Sequence, residues 1–369
     1  MHNPDKKTRE PLFHIVKRDR ISLRKSLLIR VVATVSAMLL CTLLAYVLIG
    51  EKATPAKFLS QFFQGVFGTS RRTWIFGRDT AMLLCLALAI TPAFRMRFWN
   101  LGADGQALIG ALASVFCMFF LGGRIPNGLL LVISLAASVV AGAVWALLPA
   151  IFKALWGTNE SLFTLMMNYI ATNLVMFSIT KWFYPGKDSM KEMEHGHLPQ
   201  VLNEYLLVIL IVLALTTLMF IYLYHTKQGY EISVVGESEN TARYVGINVG
   251  KVTVRTLLLS GAICGLMGFL QVSAFDHSVT AQSIGGLGFT AIMVSWLAKF
   301  NPFIMIGTAG LIAFLQRGGQ QISTAFDVND AIPNIFIGII LFFIIGCEFF
   351  INYQIKFRAS QRSKGGSAK

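Results

Sequence analysis

The chain has 369 residues, 55% of them hydrophobic and 14% charged, with a formal net charge of +14. That balance excludes a soluble globular domain. Apolar runs of about twenty residues recur from residue 27 to residue 351, the mark of an all-α, polytopic membrane protein. The basic residues gather at the chain ends and in loops, as the positive-inside rule requires, so no nucleic-acid partner is implied.

Residues 1–26 form a basic arm carrying Lys6, Lys7, Arg9, Lys17, Arg18, Arg20, Arg24 and Lys25, too polar for a cleaved signal peptide. Leu27 to Ile49 is the first span. Phe58, Leu59, Phe62, Phe63, Val66 and Phe67 repeat every four residues, predicting an amphipathic helix on the outer face. Arg78 opens a short second span to Phe94, closed by Arg95 and Arg97 and expected to tilt or stop at depth. Residues 103–121, 128–152 and 161–182 make the third, fourth and fifth spans. The loop from Tyr184 to Pro199 holds His195 and His197, two apart, but its mixed charge reads as a solvated segment rather than a metal site. Leu202 to Tyr224 is the sixth span, and 256–275, 284–298, 302–316 and 332–351 are the seventh to tenth. Residues 354–369 form a basic tail. With both termini cytoplasmic, this ten-span scheme places 22 of the 32 lysines and arginines inside and 10 outside. The transmembrane body is thus 27–353, with the polar stretch 225–255 as a cytoplasmic loop.

The stretch from Trp99 to Ser114, WNLGADGQALIGALAS, breaks the apolar pattern with three glycines, an acid and two amides between Asn100 and Gly110. Hydrocarbon offers no partner to irregular backbone or to Asp104, so protein or a water-filled path must cover this segment. Asn100, Asp104, Gln106 and, further on, Asn168 are expected to face the interior, shaping a substrate path or the helix packing. Asp104 also suits the N-cap of the third span. Laid on residues 283–292, the stretch places Gly102 over Gly285 and Gly105 over Gly288, as a five-plus-five inverted repeat with short broken helices would. Cys41, Cys85, Cys117, Cys264 and Cys347 fall singly in apolar runs and imply packing rather than disulfides.

No Walker-type loop, catalytic triad or metal cluster is present, so the chain reads as a non-enzyme without its own cofactor. The loop 225–255 points to a partner as the energy source. Ser238 to Tyr244 predicts a short capped amphipathic helix ended by Gly246, with Glu237, Asn240, Arg243 and Tyr244 placed to contact a docked protein. A gradient-driven transporter or channel is the competing reading, but it would need more intramembrane acids than Asp104, Glu160 and Glu348.

Four patches carry a family resemblance: Pro92 to Arg95 running into Trp99 to Gln106; Thr158 to Ser161 leading to Leu165 to Tyr169; Gly236 to Ile247; and Gly286 to Leu297 followed by Asn301-Pro302. In this order the chain resembles the permeases of ABC importers for nucleosides, simple sugars and branched-chain amino acids, nucleoside-type permeases above all. Asp104 stands where the family usually has Glu, and Ser295-Trp296 where small residues are usual. The resemblance implies a bacterial cell-membrane permease subunit importing a small polar solute, a nucleoside first and a simple sugar or riboflavin as alternatives. It also implies two cytoplasmic ATPase subunits that bind the ATP, a second permease (identical or not), an extracellular binding lipoprotein and surrounding membrane lipid.

Overall fold

The computed structural model describes residues 13–17, 22–50, 54–187, 190–200, 202–329 and 331–357. Most of the expected arm and tail, 1–12, 18–21 and 358–369, lies outside the described residues. The chain divides into two compact units, one built from Met1–Gly65 with Gln316–Lys369 and the other from Val66–Leu315.

In the first unit, helix α1 (Leu23–Ile49) packs on helix α13 (Ala331–Asn352). Ala37, Cys41 and Ala45 repeat every four residues and are fully buried, whereas Val35, Leu39, Leu43 and Val47 are exposed. An apolar helix with only one buried stripe leaves its other faces for lipid. Helix α2 begins at Pro55 and ends at Phe67. Its Phe58 and Phe62 are buried, and Phe58 meets Phe336 edge-on with centroids 5.4 Å apart. Strands β1 (Phe13–Lys17) and β2 (Tyr353–Phe357) pair antiparallel, with Phe13 opposite Phe357 and Lys17 opposite Tyr353. Ribbon structure at these two sites departs from the sequence reading, in which both were stretches of charged arm and tail or span end.

The second unit holds α3 (Ser70–Arg95), α4 (Ala103–Leu121), α5 (Asn127–Trp156), α6 (Glu160–Ser178) and α7 (Leu206–His225), then α8 (Lys227–Glu237), α9 (Glu239–Tyr244), α10 (Val249–Gln271) and α11 (Leu287–Leu297). It ends within α12 (Pro302–Phe326). Short π-turns, Ile179–Phe183 and Val272–Asp276, extend α6 and α10. Among the described residues, eight helices are long and apolar enough to cross a bilayer, and α11 and α12 are not among them. At 11 residues α11 reaches about 16 Å, half of a hydrocarbon core of about 30 Å. Residues 284–298 read as a full span because the glycines before the helix sit in an apolar run.

Helix α3 is longer than expected. Arg78, read as its charged boundary, stays inside the helix because it pairs with Asp79 at 2.9 Å and lies over the Phe275 ring at 5.2 Å. Every residue from Ala81 to Phe94 is buried, so α3 is covered all round. The loop after the fifth span keeps Lys187, Lys191, Glu192 and Glu194 exposed, as a solvated segment does, and is also tied down at several points. Met193 N donates to His277 O at 2.7 Å, Leu198 N to Ser273 O at 2.9 Å, and the His197 ring stacks on that of His277 at 3.8 Å. Burial and the neighbouring His197 hold the His277 imidazole below its usual range. All five cysteines are free thiols.

The centre of this unit is the contact of α10 with α5 and α4. Small residues let the backbones touch: a Cβ on Gly142 would collide with Gly261 O, and one on Gly265 with Ser138 O. Ser138 Oγ donates to Gly265 O at 2.6 Å across the same contact. Gly265→Ala should therefore destabilise the solubilised protein by about 1–3 kcal/mol. Gly307→Ala, where a side chain would meet nothing, should stay near the wild type. Thermal unfolding in detergent checks the pair, and equal melting of the two variants would refute this account of the core.

Candidate functional site

Helix α3 ends in a Schellman turn. Phe98 N donates to Ala93 O at 2.9 Å and Arg97 N to Phe94 O at 3.0 Å, with Arg97 itself left-handed at φ 61°. The chain then runs without regular structure through residues 98–102. Its polar groups are met from within. Asn100 and Gln106 are buried and exchange amide hydrogen bonds, Gln106 Nε2 donating to Asn100 Oδ1 at 3.1 Å and Asn100 Nδ2 to Gln106 Oε1 at 3.3 Å. Asn100 also donates to Ser260 Oγ at 3.2 Å and accepts from Gly102 N at 3.0 Å. From α6, Asn168 accepts from Gly105 N at 2.9 Å and donates to Leu101 O at 2.8 Å, while Thr164 Oγ1 accepts from Leu101 N at 3.1 Å. Unpaired, each such group would cost several kcal/mol at membrane depth. The structure brings Asn100, Gln106 and Asn168 together as the frame of one broken segment.

Asp104 does something different. The N-cap of α4 is Gly102, which offers no side chain, and Asp104 lies inside the first turn. Its Oδ1 accepts from Gly288 N at 2.7 Å. Gly288 belongs to the first turn of α11, whose own N-cap is Gly286, left-handed at φ 78° and without a side-chain cap. The acid thus caps α11 rather than its own helix, because a capping oxygen must come from outside the turn whose N–H groups it meets. The two glycines matched in sequence play matched parts. Gly105 gives its N–H to Asn168 and Gly288 to Asp104, and a Cβ at either would come within 3.0 Å of its acceptor. Of the other acids weighed for an ion-coupled transporter, Glu160 pairs with Lys153 at 2.8 Å.

The predicted short helix is α9. Ser238 Oγ accepts from Thr241 N at 3.2 Å at its start. Its end is a second Schellman turn, Ile247 N to Ala242 O at 2.9 Å, with Gly246 left-handed at φ 84°. Glu237, Asn240, Arg243, Tyr244 and Gly246 are all exposed, Tyr244 to 95%. The opposite face is anchored: buried Ala242 joins Ile232 and Val235 of α8, Val252 and Leu257 of α10, and Met96 and Phe98 at the end of α3 in one apolar cluster. Gly236 lets α8 lie directly on the backbone of Arg95.

A third Schellman turn ends α11. Phe300 N donates to Ser295 O at 3.0 Å and Lys299 N to Trp296 O at 2.9 Å, with Lys299 left-handed at φ 51°. The ends of α3 and α11 meet, joined by Thr91 Oγ1 and Ser295 Oγ at 2.9 Å. Beside that contact Phe94, Trp99 and Trp296 form an edge-to-face trio with centroids 5.2–6.5 Å apart. Arg97, Lys299 and Phe300 complete the lining of a cavity of about 430 Å³. Sequence reasoning met Trp296 only as a departure from the family and missed this cluster. The available signal was the repeated end pattern, Arg97-Phe98 with Asn100 and Lys299-Phe300 with Asn301.

Removing the Asp104 acceptor strands the Gly288 N–H, so Asp104→Ala should cost about 1–2 kcal/mol. Asp104→Asn keeps an acceptor and should fall within a few tenths of the wild type. Melting temperatures of the two purified variants check this, and an Asn variant as unstable as the Ala variant would show that the charge, not the cap, is what the fold requires.

Residues 72–345 match the model of the family described as branched-chain amino acid transport system / permease component. The guanosine ABC transporter permease protein NupP of Bacillus subtilis (strain 168) is 26% identical over 84% of this chain and 89% of its own length. The glucose ABC transporter permease protein TsgB13 of Haloferax volcanii is 27% identical over 78% of this chain and 79% of its own. The nucleoside ABC transporter permease protein NupB of Lactococcus lactis subsp. cremoris is 26% identical, over 78% and 82%. ABC importers couple such a transport component to ATPase and substrate-binding partners. With its apolar spans, its half-length α11 and its broken segment at Asn100, the chain belongs to the branched-chain amino acid transport system / permease component family and is a multi-pass permease subunit of an ABC importer.

Proposed function

We propose that this permease admits a nucleoside to the cytoplasm, driven through α9 by cytoplasmic ATPase subunits that bind and hydrolyse the ATP. A second permease completes the path and an extracellular lipoprotein delivers the solute. The observation that carries this reading is the two-sided character of α9. Its outer face presents Asn240, Arg243 and Tyr244, with Glu237 at the end of α8 beside them, to a docked partner, and its inner face is locked through Ala242 to Met96 and Phe98. A push on α9 therefore reaches the end of α3, the Asn100 segment next to it and, through Asp104, the start of α11. Packed elements of this kind move as bodies rather than deform, which suits a coupling that must open and close a path. The excess of basic residues on the α9 side supports a cytoplasmic location for it.

The guanosine and nucleoside permeases among the relatives favour a nucleoside. The glucose permease, equally similar, makes a simple sugar the second reading. Asn100, Asp104, Gln106 and Asn168 act in this scheme by holding the wall of the path in place, since their hydrogen bonds are made within the protein.

Arg243→Glu should reverse the charge presented to the ATPase. In proteoliposomes containing the whole transporter, uptake should fall at least tenfold while the permease still inserts. A fully active Glu variant, or a labelled Cys at position 240 that reacts only from the outer face, would overturn the coupling role. Competition of labelled guanosine uptake by unlabelled guanosine but not by glucose would separate the two substrate readings.

A further inference from the structure

The joined ends of α3 and α11 border a cavity lined by aromatic and basic side chains, Phe94, Trp99, Trp296 and Phe300 with Arg97 and Lys299. Trp99 and Trp296 are 42% and 49% exposed. Tryptophans beside basic residues commonly anchor a helix at the lipid interface. Here, however, Trp99 stands on the irregular segment 98–102, and Trp296 on a helix that spans only half a bilayer. The exposed face of α11 bears Phe289, Met293 and Trp296 in one stripe.

The backbone at this place is strained. Arg97, Lys299 and Phe300 adopt φ of 61°, 51° and 60°, where glycine is the easy residue. The equivalent position after α9 is glycine, Gly246. Two helices that could have ended on glycine instead carry long cations at the rim of an aromatic cavity. Such strain is retained where the side chain is needed.

We propose that Phe94, Trp99 and Trp296 form a stacking site for the base of a nucleoside on its way through the permease, with Arg97 at the rim meeting the acceptor edge of a purine. This deepens the nucleoside reading above and rests on it. The cavity of about 430 Å³ falls in the range of small-molecule sites. Its indole faces suit a flat ring, because stacking on aromatic side chains is strong and tolerant of base identity. Guanidinium groups pair bidentately with purine O6 and N7.

The test uses the complete transporter, purified with its partner subunits and reconstituted. Guanosine uptake by the wild type is measured first, against ribose and glucose. Trp296→Ala and Trp99→Ala should each lower guanosine uptake at least fivefold, the loss of one stacking face. Trp296→Phe should restore most of it. Irradiating the wild-type transporter with 8-azidoguanosine should label Trp99, Trp296 or Arg97, located by peptide mass spectrometry, and this arm does not depend on any variant folding. Guanosine transport that survives both alanine variants, or labelling confined to other parts of the chain, overturns the stacking site while leaving the nucleoside reading intact. A wild-type transporter that moves only sugars overturns both.

Discussion

The N–H groups at the start of a helix have no partner in their own helix, and inside a membrane no water replaces it. Two helices of this permease, α4 and α11, carry no capping side chain of their own. Each borrows one: α4 from Asn168 on α6, and α11 from Asp104 on α4. The borrowed caps form a series that fixes α11 relative to α4 and α4 relative to α6. The approach is close enough that glycine is required where each cap lands. The irregular 98–102 segment, the inward Asn100–Gln106 amide pair and the half-length α11 are all consequences of meeting that one requirement.

The end of α3 gathers three roles within a few residues. Met96 and Phe98 seat the cluster under α9, Trp99 enters the aromatic trio, and Asn100 frames the broken segment. Helix α3 is buried on every side for most of its length, so it transmits displacement with little loss. In the proposed scheme, docking, opening and solute contact are thus parts of one stiff body rather than separate sites joined by flexible links.

Much of this was legible in the residues. Apolar length set the spans, the Ser238 to Gly246 pattern marked α9, and glycines with amides in an apolar run marked the broken segment. Sequence could not show which helix Asp104 caps, because its partner Gly288 lies 184 positions away and any acid near a helix start looks like a local cap. The half-length of α11 was hidden for a similar reason: Gly285 and Gly286 read equally well as part of a continuous apolar run. Arg78 misled in the other direction, since a cation suggests a boundary unless its carboxylate and aromatic partners are known. The aromatic cavity depends on two helix ends converging in space, which periodicity along one chain does not encode.

The pairing of α1 with α13, and of β1 with β2, has a consequence for how the protein is made. Helix α1 leaves the ribosome early, yet its partner follows about 280 residues later. At typical synthesis rates of about 5–20 residues per second, that is roughly 14–56 s. Throughout that interval Ala37, Cys41 and Ala45 have no mate, and the stripe they form must be held by lipid, by the insertion machinery or by a chaperone. The Val66–Leu315 body, contiguous in the chain, can assemble meanwhile. Biogenesis is thus ordered by the fold itself, with the Val66–Leu315 body finished before α1 is paired.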